Sequence, residues 1–172
     1  MAESFDEYRR RVLGYLGSRD PIRVLVATPG RLTRLIAGRS RRELARRPAA
    51  GKWSVQEIVA HLADAELAFG WRIRNISVTP GLALEWWDEH LWSERLCYSR
   101  IPTQASLDAF EAGRRANVSV LRRVPVHVRA RAYGVHSKRG RHTLREFVTM
   151  EAAHDLNHLS QIKALLAEGL VR

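Results

Sequence analysis

The strongest constraint on the fold of this chain is the helical spacing of its apolar residues. Apolar side chains recur every three or four positions in four long segments, and no sustained alternation of β-branched and polar residues interrupts them. The chain has 172 residues, enough for one domain with one sizeable core. We therefore predict an all-α fold: a four-helix bundle with a short N-terminal helix, in a single domain over residues 1–172 with its core at about 19–169.

Helix-start signals support this prediction. Asp20 before a proline is a typical N-cap, and two capping boxes follow, Ser54 with Glu57 and Thr143 with Glu146. Each box places a carboxylate where it can accept from the backbone N–H of the cap residue. With these starts, and with proline and glycine as stops, we predict helices over residues 3–17, 21–38, 54–79, 104–123 and 143–169.

The segments between these helices are predicted to be irregular. They are a linker over 39–52, an aromatic and acidic stretch over 82–103 that is either irregular or short-helical, and a basic loop over 126–142. Pro29 lies inside the first main helix and removes a backbone donor, so we expect a kink or a weak point there. The length of the link before the third main helix leaves room for a crossover connection.

The net charge of +11 raises the question of nucleic acid as a partner. Of the 29 basic residues, 26 are arginine, and no known nucleic-acid motif accompanies them. An arginine-rich surface explains such a composition equally well, so we do not expect nucleic acid as a partner.

The sequence predicts neither a membrane protein nor a secreted one. No run of 18 apolar residues is present, and the N-terminus mixes acidic and basic side chains without a cleavage site. Cys97 is the only cysteine, so no internal disulfide can form. A cytoplasmic location is the simplest expectation. We expect Cys97 to be a half-buried structural residue rather than a nucleophile, because no motif surrounds it.

Three histidines fall on predicted core faces. His154 and His158, in the sequence HDLNH, lie four residues apart on the apolar stripe of the last helix. His61 lies between Ile58 and Ala65 on the stripe of the second main helix. Imidazoles on facing helices can share a metal ion. Hydrogen-bonded core histidines remain the alternative, since a spacing of four is weak evidence by itself. The other histidines are expected in solvent or at a pocket rim: His90, His127, His136 and His142.

Two separated motifs resemble the DinB-like family, the DinB and YfiT superfamily of metal-dependent proteins. The first is GKWSVQEIVAHLADAE, residues 51–66, and the second is TLREFVTMEAAHDLNHLSQI, residues 143–162. The resemblance extends over about 19–166 and implies a four-helix bundle of up-down-down-up order. By position, it also implies that His61, His154 and His158 bind a divalent metal.

The chain departs from one branch of that family. The related mycothiol-dependent maleylpyruvate isomerases have a glutamate at the position of His154. The chain therefore resembles the YfiT and bacillithiol-transferase branch more closely. The resemblance indicates which residues form the site, but it does not identify a substrate.

Several neighbours of the histidines are candidates for supporting roles. Metal-bound imidazoles generally need a hydrogen-bond acceptor on their other nitrogen. The candidates are carboxylates about one turn away or next in sequence: Asp64 first, then Glu57, Glu151 and Asp155, although Glu57 also has the capping role. Large aromatic side chains could line a pocket beside the metal or simply pack in the core. The candidates for lining are Trp53, Trp71 and Trp92.

These residues favour a metal-dependent enzyme. The expected cofactor is a divalent transition metal such as Zn, Ni or Fe. The expected activity is thiol-S-transfer to a small-molecule substrate, with a low-molecular-weight thiol as co-substrate. Metal-dependent hydrolysis is the second interpretation. The third is a non-catalytic dimeric helical binding module. Bundles of this kind commonly pair, so we also expect a homodimer.

Overall fold

The computed structural model describes residues 4–85, 87–137 and 140–168. The predicted domain of 1–172 extends beyond this range at both ends, and it stays a prediction. The predicted end of the last helix at Gly169 also lies outside the described residues. Within the described ranges, no helix is both long enough and apolar enough to cross a membrane.

Helices dominate the described part of the chain. Four long helices form the bundle, and four shorter ones lie before and between them. In chain order they are α1 (Phe5–Leu16), α2 (Pro21–Ile36), α3 (Arg41–Ala45), α4 (Val55–Val78), α5 (Glu89–Arg95), α6 (Thr103–Arg123), α7 (Val126–Arg131) and α8 (Leu144–Glu168). The predicted bundle is confirmed, with α2, α4, α6 and α8 as its four members.

The predicted capping boxes start the two helices that carry the histidines. Ser54 Oγ accepts from the Glu57 backbone N–H, and the Glu57 carboxylate accepts from the Ser54 backbone N–H at 2.9 Å. Thr143 and Glu146 make the same reciprocal pair. Because each box satisfies N–H groups that the first turn leaves unpaired, both helix starts are fixed locally.

Side-chain contacts show that α4 and α6 run parallel. Gln56, near the start of α4, donates to the carbonyl of Ile101, just before α6 begins. Further along both helices, Asn117 donates to the Glu66 carbonyl. The long connection over 79–102 returns the chain to the same end of the bundle, which is the crossover that its length predicted.

The other two bundle helices run in the opposite direction. Leu25 of α2 meets Arg114, whereas the later Thr33 meets the earlier Glu111, so α2 and α6 are antiparallel. On α4 and α8, His61 contacts His154. Glu66, later on α4, and Glu151, earlier on α8, both lie beside Arg114. The order is therefore up-down-down-up, with α2 and α4 each packed against α6 and α8.

A small three-stranded sheet closes the end of the bundle where α8 begins, and sequence analysis did not predict it. Strand β1 (Leu82–Leu84) pairs in parallel with β2 (Tyr133–His136), and β2 pairs antiparallel with β3 (Gly140–Thr143). A Cβ at Gly134 would lie 2.4 Å from Leu84 Cδ1 and 2.9 Å from Ile76 Cγ2, so a larger residue there would displace these packed side chains. Strands of three or four residues are too short to show a period of two.

Three further details correct the predicted connections. The linker over 39–52 contains α3, and the basic loop over 126–142 contains α7, β2 and most of β3. Helix α2 is unbroken through Pro29 and ends at Ile36, two residues before the predicted end.

Candidate metal centre

The structure brings together the three histidines that the sequence singled out. His61 comes from α4, and His154 and His158 come from successive turns of α8. The Nε2 atom of His154 lies 3.0 Å from His61 Nε2 and 3.0 Å from His158 Nε2. His61 and His158 are buried, and His154 is half-buried. Three ring nitrogens from two helices thus point at one small volume.

Hydrogen bonds alone cannot satisfy this arrangement. Gln161 Oε1 lies 3.0 Å from His158 Nδ1. It can accept a hydrogen bond from this nitrogen only if the nitrogen carries the ring proton. His158 Nε2 is then a bare lone pair aimed at His154. One N–H on His154 Nε2 can serve only one of its two neighbours. The Nδ1 atoms of His61 and His154 are buried and have no hydrogen-bond partner among the residues that the structure describes.

Electrostatics keep the three rings neutral. Burial is the main cause for each: it holds the pKa of His61 well below its usual range, and lowers that of His154 to about 4 and that of His158 to about 3. The Arg114 charge adds to the effect on His154. At neutral pH the cluster is therefore a set of lone-pair donors without charge.

A divalent transition metal fits this donor set. Nitrogens bound at 2.0–2.1 Å to one tetrahedral ion stand about 3.3 Å apart, close to the separations of 3.0 Å in the cluster. A cation would occupy all the converging lone pairs at once, which no proton arrangement does. Neutral imidazole is also a common ligand for Zn, Ni and Fe.

A second group of potential ligands is less suitable. Glu151, His154 and Asp155 each place one ligand atom within 4.8 Å of the others. Both carboxylate oxygens of Asp155, however, accept hydrogen bonds from Arg114. Since that carboxylate already has a cation as its partner, the three histidines form the better metal site.

A cavity of about 500 Å³ lies against the cluster. His61 and His154 form part of its wall, while His158 lies behind them. Its apolar lining comes from α4, α8 and the segment after β1, and its polar lining includes Arg72, Glu151, His90, His136 and His142. His136 is 3% exposed and lines the cavity, so of the two positions expected for it, solvent and pocket rim, only the pocket agrees with the structure. A volume of this size suits a small molecule.

The tryptophans are arranged differently from the prediction. Trp53 and Trp87 flank His61, with ring centroids 4.9 and 5.7 Å from the imidazole. Trp87 lines the cavity. Trp53 packs on His61 outside the lining, and Trp92 packs on Trp87 at 4.8 Å. Trp53 and Trp92, both predicted to line a pocket, thus pack against residues of the cavity wall and are not part of the lining.

Trp71 is not part of the site, because it is 68% exposed. It follows His61 by ten residues, which at 100° each turns it about 80° away from the His61 direction. Arg72 follows by eleven residues, three turns later, so this residue reaches the cavity instead. The helical step thus explains both positions.

In the described part of the chain, none of the four predicted supporting carboxylates has a hydrogen bond to a cluster histidine. Glu57 accepts from Ser54 and Arg47, which lower its pKa against the effect of burial. Asp64 accepts from the Tyr98 hydroxyl, and Asp155 pairs with Arg114. Gln161, which sequence analysis missed, is the residue that contacts a histidine Nδ1. Its position three residues after His158 was the available signal.

A buried ionic network lies directly behind His154. Arg114 is 1% exposed and donates from Nε to Glu66 at 2.6 Å and from Nη2 to Asp155 at 3.1 Å. Asn117 donates to the other oxygen of Glu66 at 2.7 Å. We call these four residues the Arg114 network. Sequence analysis missed Arg114, although it follows Phe110 by four residues on the core face of α6.

Glu151 lies between the Arg114 network and the cavity. Its Oε1 is 3.7 Å from Arg114 Nη2 and has no hydrogen-bond partner in the described part of the chain. Burial, followed by the charges of Asp155 and Glu66, raises the pKa of Glu151 well above its usual range. The protonated form of this carboxyl group is therefore favoured more than in an exposed glutamate, at the edge of the cavity and one turn before His154.

Cys97 is exposed, not half-buried as predicted. It has a left-handed backbone conformation with φ 53°, between α5 and a short 3-10 turn. It is not among the described residues that line the cavity. Its thiol is therefore not positioned to attack a molecule bound at the histidines.

Known proteins share this architecture. YfiT from Bacillus subtilis, described as "a probable metal-dependent hydrolase with an unusual four-helix bundle topology", matches with a TM-score of 0.78 and 23% identity over 84% of this chain and 83% of that one. A "Putative metal-dependent hydrolase" from Oceanobacillus iheyensis is 26% identical over 115 residues, 67% of this chain. The match spans 66% of that relative, just under two thirds of its length.

The family assignment rests on a longer match. The sequence profile of the DinB superfamily matches residues 25–162, which include α4, α6 and most of α8. All three histidines lie inside this range. The chain therefore belongs to the DinB superfamily.

Proposed function

We propose that this protein is a metal-dependent hydrolase in which His61, His154 and His158 hold a divalent transition metal. The observation that carries the proposal is the convergence of three neutral Nε2 donors beside a cavity of about 500 Å³. The names given to the Bacillus and Oceanobacillus proteins support the same reaction class. Three neutral ligands leave positions open for a water molecule or a substrate, as catalytic sites require.

The side chains around the histidines would fix the metal ligands in place. Gln161 holds His158 in the tautomer that leaves Nε2 free to bind. Trp53 and Trp87 restrict the His61 ring from two sides. A divalent ion held there would supply a Lewis acid that makes a water molecule more acidic.

Glu151 is the proposed proton donor of this reaction. Burial and the neighbouring carboxylates raise its pKa well above the usual range, which favours the protonated form that a proton donor needs. Its carboxyl group lines the same cavity as His154. It would give that proton to the leaving group of a bound substrate, the role of a general acid.

Thiol-S-transfer is the second candidate function. The protein offers no thiol to the cavity, since Cys97 is exposed elsewhere. A low-molecular-weight thiol would therefore have to enter as a co-substrate, and the cavity volume leaves room for a small thiol beside an electrophile. Metal binding favours the thiolate, which is the reactive form of such a molecule.

The two functions differ in their need for thiol. The protein is loaded in turn with Zn, Ni, Fe and Mn, then assayed on chromogenic esters, amides and phosphate esters, and on an aryl halide with and without a small thiol. Hydrolysis without thiol supports the first function, and turnover of the aryl halide only with thiol supports the second.

The matched variants are His158→Gln and Trp71→Ala. The first removes one proposed ligand and should abolish metal-dependent turnover. The second changes an exposed side chain outside the cavity and should leave turnover within twofold of the parent. A rate that survives His158→Gln would contradict both functions.

A further inference from the structure

A second concave surface lies on the opposite side of α8. It is a groove of about 710 Å³ between α1, α2 and α8. Lys163 is part of its lining and follows His154 by nine residues, which is half a turn around the helix axis. None of the residues that line this groove lines the cavity beside the histidines.

The groove is lined by four cationic side chains. Arg31 and Arg34 lie three residues apart on one side of α2. Lys163 comes from α8, and Arg19 comes from the link after α1. Tyr15, which is 38% exposed, and the buried Leu156 complete the wall and the floor. Three separate elements therefore direct positive charge into one depression.

These charges have no carboxylate partners among the residues that the structure describes. No acidic side chain in the described ranges lines the groove, and none lies within 4.0 Å of the four cations. Arg19 donates to the Tyr15 carbonyl, which anchors one guanidinium nitrogen and leaves its other donors available. By contrast, the buried Arg114 forms ion pairs with the carboxylates of Glu66 and Asp155.

We propose that this groove is a binding site for a small molecule that carries a diphosphate group. Guanidinium groups match phosphate oxygens in charge and in the fork geometry of their donors, and an ammonium adds a further point charge. Four cations exceed what a single carboxylate needs, whereas a diphosphate offers several oxygens and about three negative charges. Tyr15 and the leucine floor would pack against the organic part of the ligand.

The shape of the groove favours a small ligand over a nucleic acid strand. The cations converge in one depression whose volume lies in the range of small-molecule sites. A nucleic acid instead needs positive charge extended along the path of many phosphates. The proposal is independent of the metal centre, because it uses none of the metal-site residues.

The test is calorimetric titration of the metal-free protein with inorganic pyrophosphate at about 0.15 M salt, where exposed charges are screened. The groove variant is Arg31→Gln with Lys163→Gln. The control is Arg122→Gln with Arg129→Gln, which removes the same charge from exposed positions outside the groove. We expect one pyrophosphate per chain, a Kd at least tenfold weaker in the groove variant, and a Kd within twofold of the parent in the control.

Other outcomes would overturn the proposal. Equal weakening in both variants would mean that pyrophosphate responds only to net charge. No binding to the parent would leave the cations as solvated surface residues. Two further titrations test other sources of phosphate: binding only to phosphatidic acid vesicles, or only to a single-stranded oligonucleotide, would contradict a small soluble ligand.

Discussion

The histidine cluster and the Arg114 network occupy neighbouring levels of one bundle, but they satisfy their polar atoms in different ways. In the Arg114 network, a guanidinium, two carboxylates and an amide complete one another's hydrogen bonds. In the histidine cluster, three neutral imidazoles face one another, and two further nitrogens have no hydrogen-bond partner within the described ranges. The network pairs its charges internally, whereas the cluster leaves nitrogen lone pairs facing one another, an arrangement that a bound cation would complete.

The two regions share their helices, so the difference comes from single residues. Adjacent positions on α8 place His154 in the cluster and Asp155 in the network. The Arg114 charge also lowers the pKa of His154, which keeps the ring neutral and able to bind metal. A structural ionic network thus lies directly behind the proposed ligands and helps to set their protonation.

The largest effect is expected from breaking the network. Arg114→Met leaves Glu66 and Asp155 buried without a cation, so the free energy of unfolding should fall by about 3–5 kcal/mol. Urea denaturation of the metal-free protein measures it. The control adds Glu66→Gln and Asp155→Asn to the same substitution and should recover part of the loss. A triple variant that is less stable than the single one would contradict this account.

The next effect concerns acid. Because the native pKa values of His154 and His158 are lowered to about 4 and about 3, the unfolded chain binds protons below about pH 6.5 that the native protein does not. The stability that these histidines contribute is therefore present above pH 6.5 and is lost as the pH falls towards 4. Each contributes a slope of up to about 1.4 kcal/mol per pH unit.

The measurement is the free energy of unfolding of the metal-free protein between pH 7 and pH 4. A variant with glutamine at all three histidine positions lacks these titrating groups and should lose stability with a shallower slope. Equal slopes in parent and variant would mean that the histidines are not held neutral by burial.

A smaller effect of opposite sign is expected at Glu151, where the two regions meet. Its native pKa is raised, so above about pH 4.3 the unfolded chain releases a proton that the native protein keeps. Stability therefore falls as the pH rises above that value. Glu151→Gln removes this penalty and should raise the free energy of unfolding at pH 7.

Thermal and urea denaturation at pH 5 and pH 7 check this prediction. The gain should be larger at pH 7 than at pH 5. The control is Glu94→Gln, an exposed position on α5, where a change within about 0.5 kcal/mol is expected. A loss of stability at pH 7 in Glu151→Gln would show that its carboxylate is ionised and paired.

Local signals in the sequence predicted most of the helices and the positions of the histidines. Ser54 and Thr143 cap their helices through contacts three residues away, and the faces of α4 and α8 follow from the helical period. These properties depend on neighbours in the sequence. For the same reason the predicted starts agree with the structure to within one or two residues.

Long-range contacts explain what the sequence did not predict. The sheet joins segments some fifty residues apart, and each strand is too short to be recognised alone. Asp64 and Asp155 were chosen as partners of the histidines by proximity in sequence, but Tyr98 and Arg114 compete for them from other elements. Which partner a buried carboxylate selects depends on the helices that pack against it.

The most direct test of the metal centre is metal content and affinity of the untagged protein and its His61→Gln variant. Both are measured after incubation with Zn, Ni, Fe and Mn, and circular dichroism checks the fold. We predict about one equivalent of a transition metal in the parent, and affinity at least a hundredfold weaker in a variant that stays folded. A parent that binds no metal, or a variant that binds it as tightly, would contradict the assignment of the three histidines as ligands.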